Sequence, residues 1–382
     1  PVLHSVLIEK IGVEDTGLKY YVTQGQYTDS YTMDDFFFRA NNFWVDSLVD
    51  TRNQFWHSES YILEAKGIKG DMPSKNIRAG LERFLLNTID GRLSLSKMSL
   101  SPISTNVSQD YITGTIELVD VEGLHYDKGL EASLFKIESP KVKYYRMSES
   151  SKGARQTETK QQGSRNNILD LFAPYVEYLK IEDIKLSNAD LAFYDKVDDN
   201  IFRLRDFNFY ANSLLMDEHT RKTQRYMFDC KNFGFSFKDF DNYLQGKDYR
   251  LLIKEGSFSY RTGRLVFEDI RLIPQEQSWV KAPDIYYGLM VPKIEVKGID
   301  ADPNKNMEDI KLGTAIIESP QIKVVKVRQA ANREKSSDKD PAFVFRSLSI
   351  EAFKTKNADL LELENVEKDR QKVGNSEFSL SK

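Results

Sequence analysis

The chain has 382 residues, with 54 basic and 58 acidic side chains and a formal net charge of −4. This balance excludes a strong electrostatic attraction to nucleic acid, and the single cysteine, Cys230, excludes an internal disulfide and a cysteine-rich metal site. No apolar run approaches the roughly 18 residues that a membrane-spanning helix needs. The 23 Phe and 19 Tyr side chains favour pleated, half-buried strands.

Predicted strands follow one another along the chain, with turn signals between them. In the first half they lie at 5–13, 17–23, 32–40, 61–68, 81–89, 92–100, 113–121 and 132–145. In the second half they lie at 178–186, 190–196, 202–211, 226–237, 249–260, 264–272, 284–298 and 314–327. The short links between them predict an antiparallel meander. The segment 74–87 also has a helical spacing of apolar residues, but its counterpart at 249–260 is typical of a strand, so we interpret both as strands.

Several sequence phrases return roughly 170 residues later. The phrase at 35–41 returns at 206–212, Gly-Arg-Leu at 91–93 returns at 263–265, and Ile-Glu-Ser-Pro at 137–140 returns at 317–320. A third copy begins near Phe345. Within one continuous sheet, we predict repeat 1 over 1–149, a mobile loop over 150–166, repeat 2 over 167–328, a second mobile loop over 329–341, and the start of repeat 3 over 342–382.

Within many strands the alternation of apolar residues slips by one position and then resumes. Residues 179, 181, 184 and 186 show the slip, as do residues 93, 95, 98 and 100. A single unmatched residue turns all later side chains to the other face, whereas a β-bulge absorbs it and bends the strand. A two-residue hairpin turn would also keep the face, but such turns need Gly, and the slip pairs contain none. We interpret the slips as bulges that curve the sheet.

The sequence contains no recognisable catalytic motif. It has no Gly-x-Ser-x-Gly elbow, no Walker loop and no Gly-x-Gly-x-x-Gly. Adjacent carboxylates at 34–35 and 198–199 are typical of solvated turns. The histidines are scattered, without a metal-ligand spacing, at His4, His57, His125 and His219. We therefore expect no enzyme activity, no metal and no cofactor.

The most informative residues are the apolar ones on one side of the predicted strands. In a closed sandwich, two such faces cover each other. A single curved sheet would instead leave its concave face as an apolar groove, and a large uncovered apolar patch marks a binding surface. Periodicity alone leaves both interpretations open. The candidate groove residues are Phe36, Phe38, Leu93, Leu95, Phe207, Phe209, Phe228, Phe233, Phe235, Phe237, Leu265 and Phe267.

Four phrases carry a resemblance to a known family. They are LKIEDIKLSNADLAFYD (179–195), SFSYRTGRLVFEDIRLIP (257–274), VPKIEVKGID (291–300) and AIIESPQIKVVK (315–326). In this order, and with their first-copy counterparts, they resemble the AsmA/TamB-like superfamily of bacterial envelope proteins, in particular its Bacteroidetes-type members. The resemblance implies a long U-shaped β-sheet with a hydrophobic groove that projects through the periplasm from an N-terminal inner-membrane helix. It also implies a role in phospholipid movement or outer-membrane assembly, with no catalytic residues to carry over.

The residues and the resemblance together predict an all-β fold: an elongated, bent antiparallel sheet that forms a U-shaped groove, built from long internal repeats with β-bulged strands. The expected function is passive binding and transfer of phospholipid acyl chains in the periplasm, with membrane association through an anchor outside this chain and no nucleic-acid partner. The alternative is a structural or adhesion protein of packed β-sandwich repeats that binds a protein partner. A carbohydrate-active enzyme would need two converging carboxylates, and the sequence nominates none.

Overall fold

The computed structural model describes residues 5–46, 58–105, 109–126, 129–147, 177–196, 200–217, 230–244, 249–274, 285–299, 309–326 and 347–363. These residues are nearly all in strands, which form one large mixed sheet. The predicted all-β fold is confirmed.

The chain divides into two compact units: unit 1 is Pro1–Ala189 with Ala211–Lys231, and unit 2 is Asp190–Tyr210 with Asn232–Lys382. The predicted loops at 150–166 and 329–341 lie outside the described residues, and the repeat boundaries remain a prediction.

Unit 1 is built mainly from antiparallel neighbours. The strands are β1 (Ser5–Val13), β2 (Leu18–Gln24), β3 (Tyr27–Met33), β4 (Asp35–Asp46), β5 (Ser58–Met72), β6 (Ile77–Asn87), β7 (Arg92–Pro102), β8 (Tyr111–Glu122), β9 (His125–Tyr126), β10 (Leu130–Glu138) and β11 (Lys141–Arg146). β1 pairs with β4, and β2 with β3. Both β3 and β4 pair with β5, the pairing continues through β6 and β7 to β8, and β8 pairs with β10 and β11.

Unit 2 has a similar order of antiparallel neighbours. Two strands, β12 (Leu179–Asp195) and β13 (Asn200–Met216), contribute residues to both units. The remaining strands are β14 (Asn232–Leu244), β15 (Tyr249–Ser259), β16 (Arg264–Pro274), β17 (Ile285–Lys297), β18 (Asp309–Glu318), β19 (Gln321–Lys326), β20 (Ser347–Lys356) and β21 (Asp359–Leu363). β14 pairs with β15, β15 with β16 and β16 with β17, and β17 then pairs with both β18 and β19.

Both units also contain parallel joins, which the predicted antiparallel meander did not include. In unit 1, β10 pairs in parallel with β12 and places Ala132 opposite Ile181. In unit 2, β18 pairs in parallel with β20, and β19 with β21. A parallel pair needs a crossover of about a dozen residues or more, and the long segments before β12 and β20 satisfy this requirement. The sheet is therefore mixed rather than antiparallel throughout.

The Ile-Glu-Ser-Pro phrase interrupts a strand in both units. Ser139 and Ser319 have φ angles of +49° and +47°, and the proline that follows each of them has no N–H donor. The predicted strands at 132–145 and 314–327 are therefore each two strands, β10 with β11 and β18 with β19.

Other predicted boundaries shift for similar local reasons. The predicted strands at 178–186 and 190–196 form one continuous strand, β12, in which Asn188 has a φ of +53°. The predicted strand at 226–237 is observed as β14, six residues later at its start, and residues 226–229 lie outside the described residues. The strand interpretation of 74–87 is confirmed over β6, after a short 3-10 turn at Pro73–Lys75.

The slip in the apolar pattern lies inside continuous strands and not in hairpin turns, but the predicted β-bulge is wrong, because neither strand has an extra residue. Lys97 in β7 and Asp269 in β16 belong to slip pairs and have φ angles of +50° and +51°. An ordinary bulge sets two residues against one. Here the register stays one-for-one, because residues 96 and 98 of β7 lie opposite residues 118 and 116 of β8. The neighbouring strands carry the slip at the same level, from β5 to β8 and from β14 to β17.

Phe237 and Phe240 in unit 2 show directly that the slip keeps apolar side chains on one face. These residues are three apart, and in a regular strand they would point to opposite faces. Asp239 between them has a φ of +51°, and the two ring centroids lie 6.0 Å apart. The left-handed conformation of Asp239 therefore returns the apolar side chains that follow it to the same face as Phe237.

Substitution of Lys97 tests the left-handed conformation. A β-branched residue is a marked outlier at positive φ. We therefore expect the free energy of unfolding of Lys97→Val to be about 1–2 kcal/mol lower than that of Lys97→Gly. Both variants lose the exposed Lys97–Glu82 ion pair, so that loss cancels. Ser94→Val, at an ordinary position of β7, serves as the control and should not lower stability. Urea unfolding checks the order, and equal midpoints for the two Lys97 variants would contradict it.

Candidate functional site

Unit 1 carries two rows of apolar side chains that continue from strand to strand. The predicted residues Phe36, Phe38, Leu93 and Leu95 lie on these rows, and all four are half-buried. In register, the first row is Phe36, Ala65, Phe84, Leu95, Val119, Ile137 and Leu186, and the second is Phe38, Leu63, Leu86, Leu93, Val121, Phe135 and Ile184. The structure therefore joins the predicted residues into one apolar surface.

Unit 1 also has an apolar trough of about 570 Å³, which lies at the level of the residues that follow the slip in β7. This volume lies in the range of about 300–1,000 Å³ that is typical of ligand pockets. Sequence reasoning did not nominate its residues as groove candidates. The lining includes Leu81, Met98, Leu100 and Ile116.

Small residues create the depth of the trough. Gly70 lies opposite Ala79, Ala79 opposite Leu100, and Leu100 opposite Gly114. At Gly70, Ala79 and Gly114 little or no side chain rises from the sheet, so the longer neighbouring side chains stand around a hollow. The trough is thus a product of side-chain size along one row of the register.

Unit 2 carries an aromatic surface at the sequence counterparts of the apolar rows of unit 1. The ring centroids of Phe207 and Phe235 lie 6.3 Å apart, those of Phe235 and Phe237 6.5 Å, and those of Phe237 and Phe267 6.3 Å. Such separations are typical of favourable aromatic pairs. Four of the predicted candidates, from strands β13, β14 and β16, are therefore brought together.

The remaining candidates of unit 2 have different outcomes. Phe233 contacts the ring of Tyr260, with centroids 5.4 Å apart. Leu265 lies in register between Phe258 and Val296. Phe209 is half-buried on β13, and Phe228 lies outside the described residues.

Gly256 provides the space that the aromatic surface requires. It lies in register between Phe237 and Phe267, and a Cβ at Gly256 would come within 2.3 Å of the Phe237 ring. Without this side chain, the Phe237 ring extends over β15 toward Phe267. Phe237 is consequently only 8% exposed, while the neighbouring candidate rings are half-buried.

Burial on these faces is that of a single sheet layer rather than a sandwich core. In a sandwich, two inner faces interdigitate and bury large side chains completely. Among the described residues, the largest side chain below 2% exposure is Val291. Many of the other buried apolar residues are alanines, namely Ala40, Ala65, Ala132, Ala189, Ala211 and Ala315. Most large apolar side chains therefore stay in partial contact with solvent. A smaller group is buried, including Leu214 and Met216, which form a cluster with Val121 against which Leu93 packs.

The opposite face of the sheet carries ion pairs at matching places in the two units. In unit 1, Arg92 donates from Nε and Nη2 to the two carboxylate oxygens of Asp120, both at 3.0 Å. In unit 2, Arg264 Nε donates to Glu295 Oε1 at 2.5 Å. Asp120 and Glu295 are 4% and 7% exposed, so each arginine supplies the partner that a buried carboxylate needs.

A polar hollow of about 370 Å³ in unit 2 is a weaker candidate site. Two of its arginines already have bidentate partners: Arg250 with Asp241, and Arg271 with Asp269, all at 2.8 Å. These pairs offset much of the positive charge that an anion would require. The apolar surface is therefore the better candidate.

The Asp269–Arg271 pair predicts an effect of acid on stability. The hydrogen bonds from Arg271 lower the pKa of the Asp269 carboxyl below its ordinary value. A depressed pKa in the folded state gives stability that is full above the unfolded pKa and is lost as the pH falls through the folded pKa. Asp269→Asn removes this charge and retains a residue that tolerates positive φ.

We expect wild type to be more stable than Asp269→Asn at about pH 6, by no more than about 1 kcal/mol because solvent reaches both partners of the pair. The difference should shrink as the pH falls toward about 3. Urea unfolding of both proteins across this range checks the prediction. A difference that is independent of pH would contradict it.

Comparison with known proteins adds no assignment. No protein-family model matches the sequence, and no curated protein matches it. In the part of the chain that the structure describes, no helix is both long enough and apolar enough to cross a membrane.

Proposed function

We propose that this chain is a passive lipid-binding protein whose apolar sheet face holds phospholipid acyl chains. One observation carries the proposal: large apolar side chains form continuous rows, with a trough of about 570 Å³, on a single-layer face. An apolar surface of this kind on a folded protein marks a binding site. Its lining by aliphatic and aromatic side chains suits hydrocarbon chains.

The proposed mechanism needs no reacting group. Burial of an acyl chain is favourable by about 0.8 kcal/mol for each CH₂ group. The head group stays in water at the open side of the sheet, where it loses little solvation. Because the apolar rows continue from strand to strand, a chain that moves along a unit exchanges one apolar contact for another, which keeps barriers low.

The site of action in the cell is part of the same proposal. The resemblance to the AsmA/TamB-like superfamily supports a place in the bacterial periplasm, with membrane association through segments outside this chain. It also supports a contribution to phospholipid transport or outer-membrane homeostasis. The apolar face agrees with such a role because the binding of lipid would need no catalytic residue.

The alternative is an adhesion or structural protein of packed β-sandwiches. That architecture requires two sheets that cover each other around a dry core. The partial exposure of Phe36, Phe38, Leu93 and Leu95 argues against this in unit 1, and the half-buried rings of unit 2 argue against it there.

Uptake of a fluorescent phospholipid by delipidated protein tests the proposal. We expect saturable uptake that varies little with the head group, since the contacts are to the acyl chains. A water-soluble dye with the same fluorophore and no acyl chains serves as the control. Absence of saturable phospholipid uptake by folded protein would overturn the proposed function.

A further inference from the structure

We propose that the polar hollow of about 370 Å³ in unit 2 binds a phosphate group. This inference concerns the charged face of the sheet and does not depend on the binding of acyl chains to the apolar face. It rests on three basic side chains that have no acidic partner and on the different side chains at the corresponding positions of unit 1.

The hollow lies on the charged face of the sheet. In register, Asp241 lies opposite Leu252, and Leu252 lies opposite Arg271. The next row along these strands is apolar and places Phe240 opposite Ile253. Successive side chains of a strand point to opposite faces. The hollow therefore surrounds Leu252, between longer charged side chains, and is separate from the aromatic surface.

The side chains that line the hollow carry an excess of positive charge. Five of them are basic and three are acidic. Two of the acids are already bound by arginine, Asp241 by Arg250 and Asp269 by Arg271. The third acid is Asp239, so the three remaining basic side chains are set against a single carboxylate. The formal excess of two positive charges attracts an anion.

The three remaining basic side chains are Arg203, Arg205 and Lys254. In the part of the chain that the structure describes, none of them forms an ion pair or a hydrogen bond through its side chain. The charge of Lys254 contributes to the lowered pKa of Asp269, but the hydrogen bonds to that carboxylate come from Arg271. Their donors are therefore available to a ligand.

Arg203 has a supported position and an unused donor. Its guanidinium carbon lies 5.5 Å from the centroid of the Tyr194 ring, a distance typical of a cation–π contact. The Nε of Arg203 is buried and has no hydrogen-bond partner among the described residues. A buried donor without an acceptor is costly, and an anion in the hollow would supply one to this guanidinium.

The corresponding positions of unit 1 have the opposite charge. The counterparts of Arg203, Arg205, Lys254 and Arg271 are Thr32, Asp34, Glu82 and Ser99. The two acids among them are paired: Asp34 Oδ2 lies 3.6 Å from Lys69 Nζ, and Glu82 Oε2 lies 2.8 Å from Lys97 Nζ. The unpaired basic hollow is therefore particular to unit 2 and is not a general property of the repeated strands.

A phosphate monoester is the class of ligand that fits this hollow. Such a group carries about −1.5 to −2 charges near pH 7, which matches the formal excess of the lining. Arginine binds phosphate oxygens through parallel hydrogen bonds. The volume of about 370 Å³ also admits a small substituent on the phosphate. A soluble compound and a lipid at a bilayer surface present the same group, and the experiment separates these two sources.

Isothermal titration calorimetry of the full chain with glycerol 3-phosphate tests the site. We expect saturable binding near neutral pH and at low salt, and a similar result with inorganic phosphate. Arg205→Gln and Lys254→Gln should each weaken binding at least about fivefold, because each removes a charge-assisted contact. Both side chains are exposed, so both variants should fold, and urea unfolding verifies this.

Arg261→Gln is the matched control. Arg261 is an exposed arginine of unit 2 that does not line the hollow. Its substitution removes the same charge from the protein and should leave binding within about twofold, because exposed charges away from the site are screened. Equal losses in Arg205→Gln and Arg261→Gln would show a general electrostatic attraction and would overturn the proposal.

Cosedimentation with vesicles identifies the source of the phosphate. A lipid ligand predicts that wild type sediments with phosphatidylcholine vesicles that contain phosphatidic acid more than with pure phosphatidylcholine, and that glycerol 3-phosphate releases it. A soluble ligand predicts binding in calorimetry and no such difference between the vesicles. Both results support the site and assign its ligand. Cosedimentation that glycerol 3-phosphate does not reverse would contradict a phosphate site.

Absence of saturable binding of both glycerol 3-phosphate and inorganic phosphate by folded protein would overturn the proposal. Uptake of fluorescent phospholipid by Arg205→Gln should equal that of wild type, because the substitution lies on the charged face. Phosphate binding and acyl-chain uptake are thus measured separately, and failure of one does not imply failure of the other.

Discussion

Leu100→Glu should reduce phospholipid uptake at least about tenfold, which corresponds to about 1.4 kcal/mol. Leu100 lies in register between Ala79 and Gly114 within the trough. An acyl chain in this trough would contact the introduced carboxylate and remove its water, and desolvation of an unpaired charge costs several kcal/mol. The loss therefore exceeds the contribution of a single leucine contact. Uptake is measured well above the carboxyl pKa, so that the charge is present.

Ser101→Glu is the matched control for this experiment. Ser101 is the next residue on β7 and lies opposite Arg78 of β6, on the charged face of the sheet. The same charge placed there should leave uptake within about twofold, since no acyl chain contacts it. Urea titration first verifies that both variants are folded. Equal losses of phospholipid uptake by the two folded variants would then show that the trough does not hold the lipid.

Gly256→Ala should destabilise the protein by about 1–3 kcal/mol, the usual cost of overpacking. The new Cβ would lie 2.3 Å from the Phe237 ring, which must then leave its place beside Phe267. Gly288→Ala in β17 is the control. Its Cβ would come no closer than 3.4 Å, to Lys323 Cβ, so stability should be unchanged or slightly higher.

A double substitution identifies the cause of the Gly256→Ala effect. In a Phe237→Leu background the smaller side chain leaves room, so Gly256→Ala should cost clearly less than it does in wild type. Such non-additivity is expected of residues in direct contact. Full additivity in urea unfolding would contradict the packing explanation.

The sequence was most informative about the faces of the strands. The pattern of Leu93, Leu95, Met98 and Leu100 predicts that these residues share one face despite the slip, and the left-handed Lys97 between them accounts for this arrangement. The same pattern already contained Met98 and Leu100, so a signal for the trough was present. Only Leu93 and Leu95 from this pattern were predicted as groove residues.

Two kinds of feature had no usable local signal. The depth of the trough depends on Gly70 and Gly114, which have no side chain. A search of the sequence for apolar side chains does not identify such positions. The parallel join of β10 to β12 connects residues about 50 apart along the chain, and strand periodicity carries no information on which strands pair. The break at Ser139 could have been expected from the proline that follows it.

The most direct test places a fluorophore on each face of β7 and measures quenching by phospholipid with brominated acyl chains. Met98→Cys and Ser94→Cys are labelled separately. In a regular strand residues 94 and 98 share a face, but the left-handed Lys97 turns Met98 to the apolar face, opposite to Ser94. Strong quenching at residue 98 and little at residue 94 is the predicted result. Equal quenching at both positions, or none at residue 98, would contradict a lipid-holding apolar face.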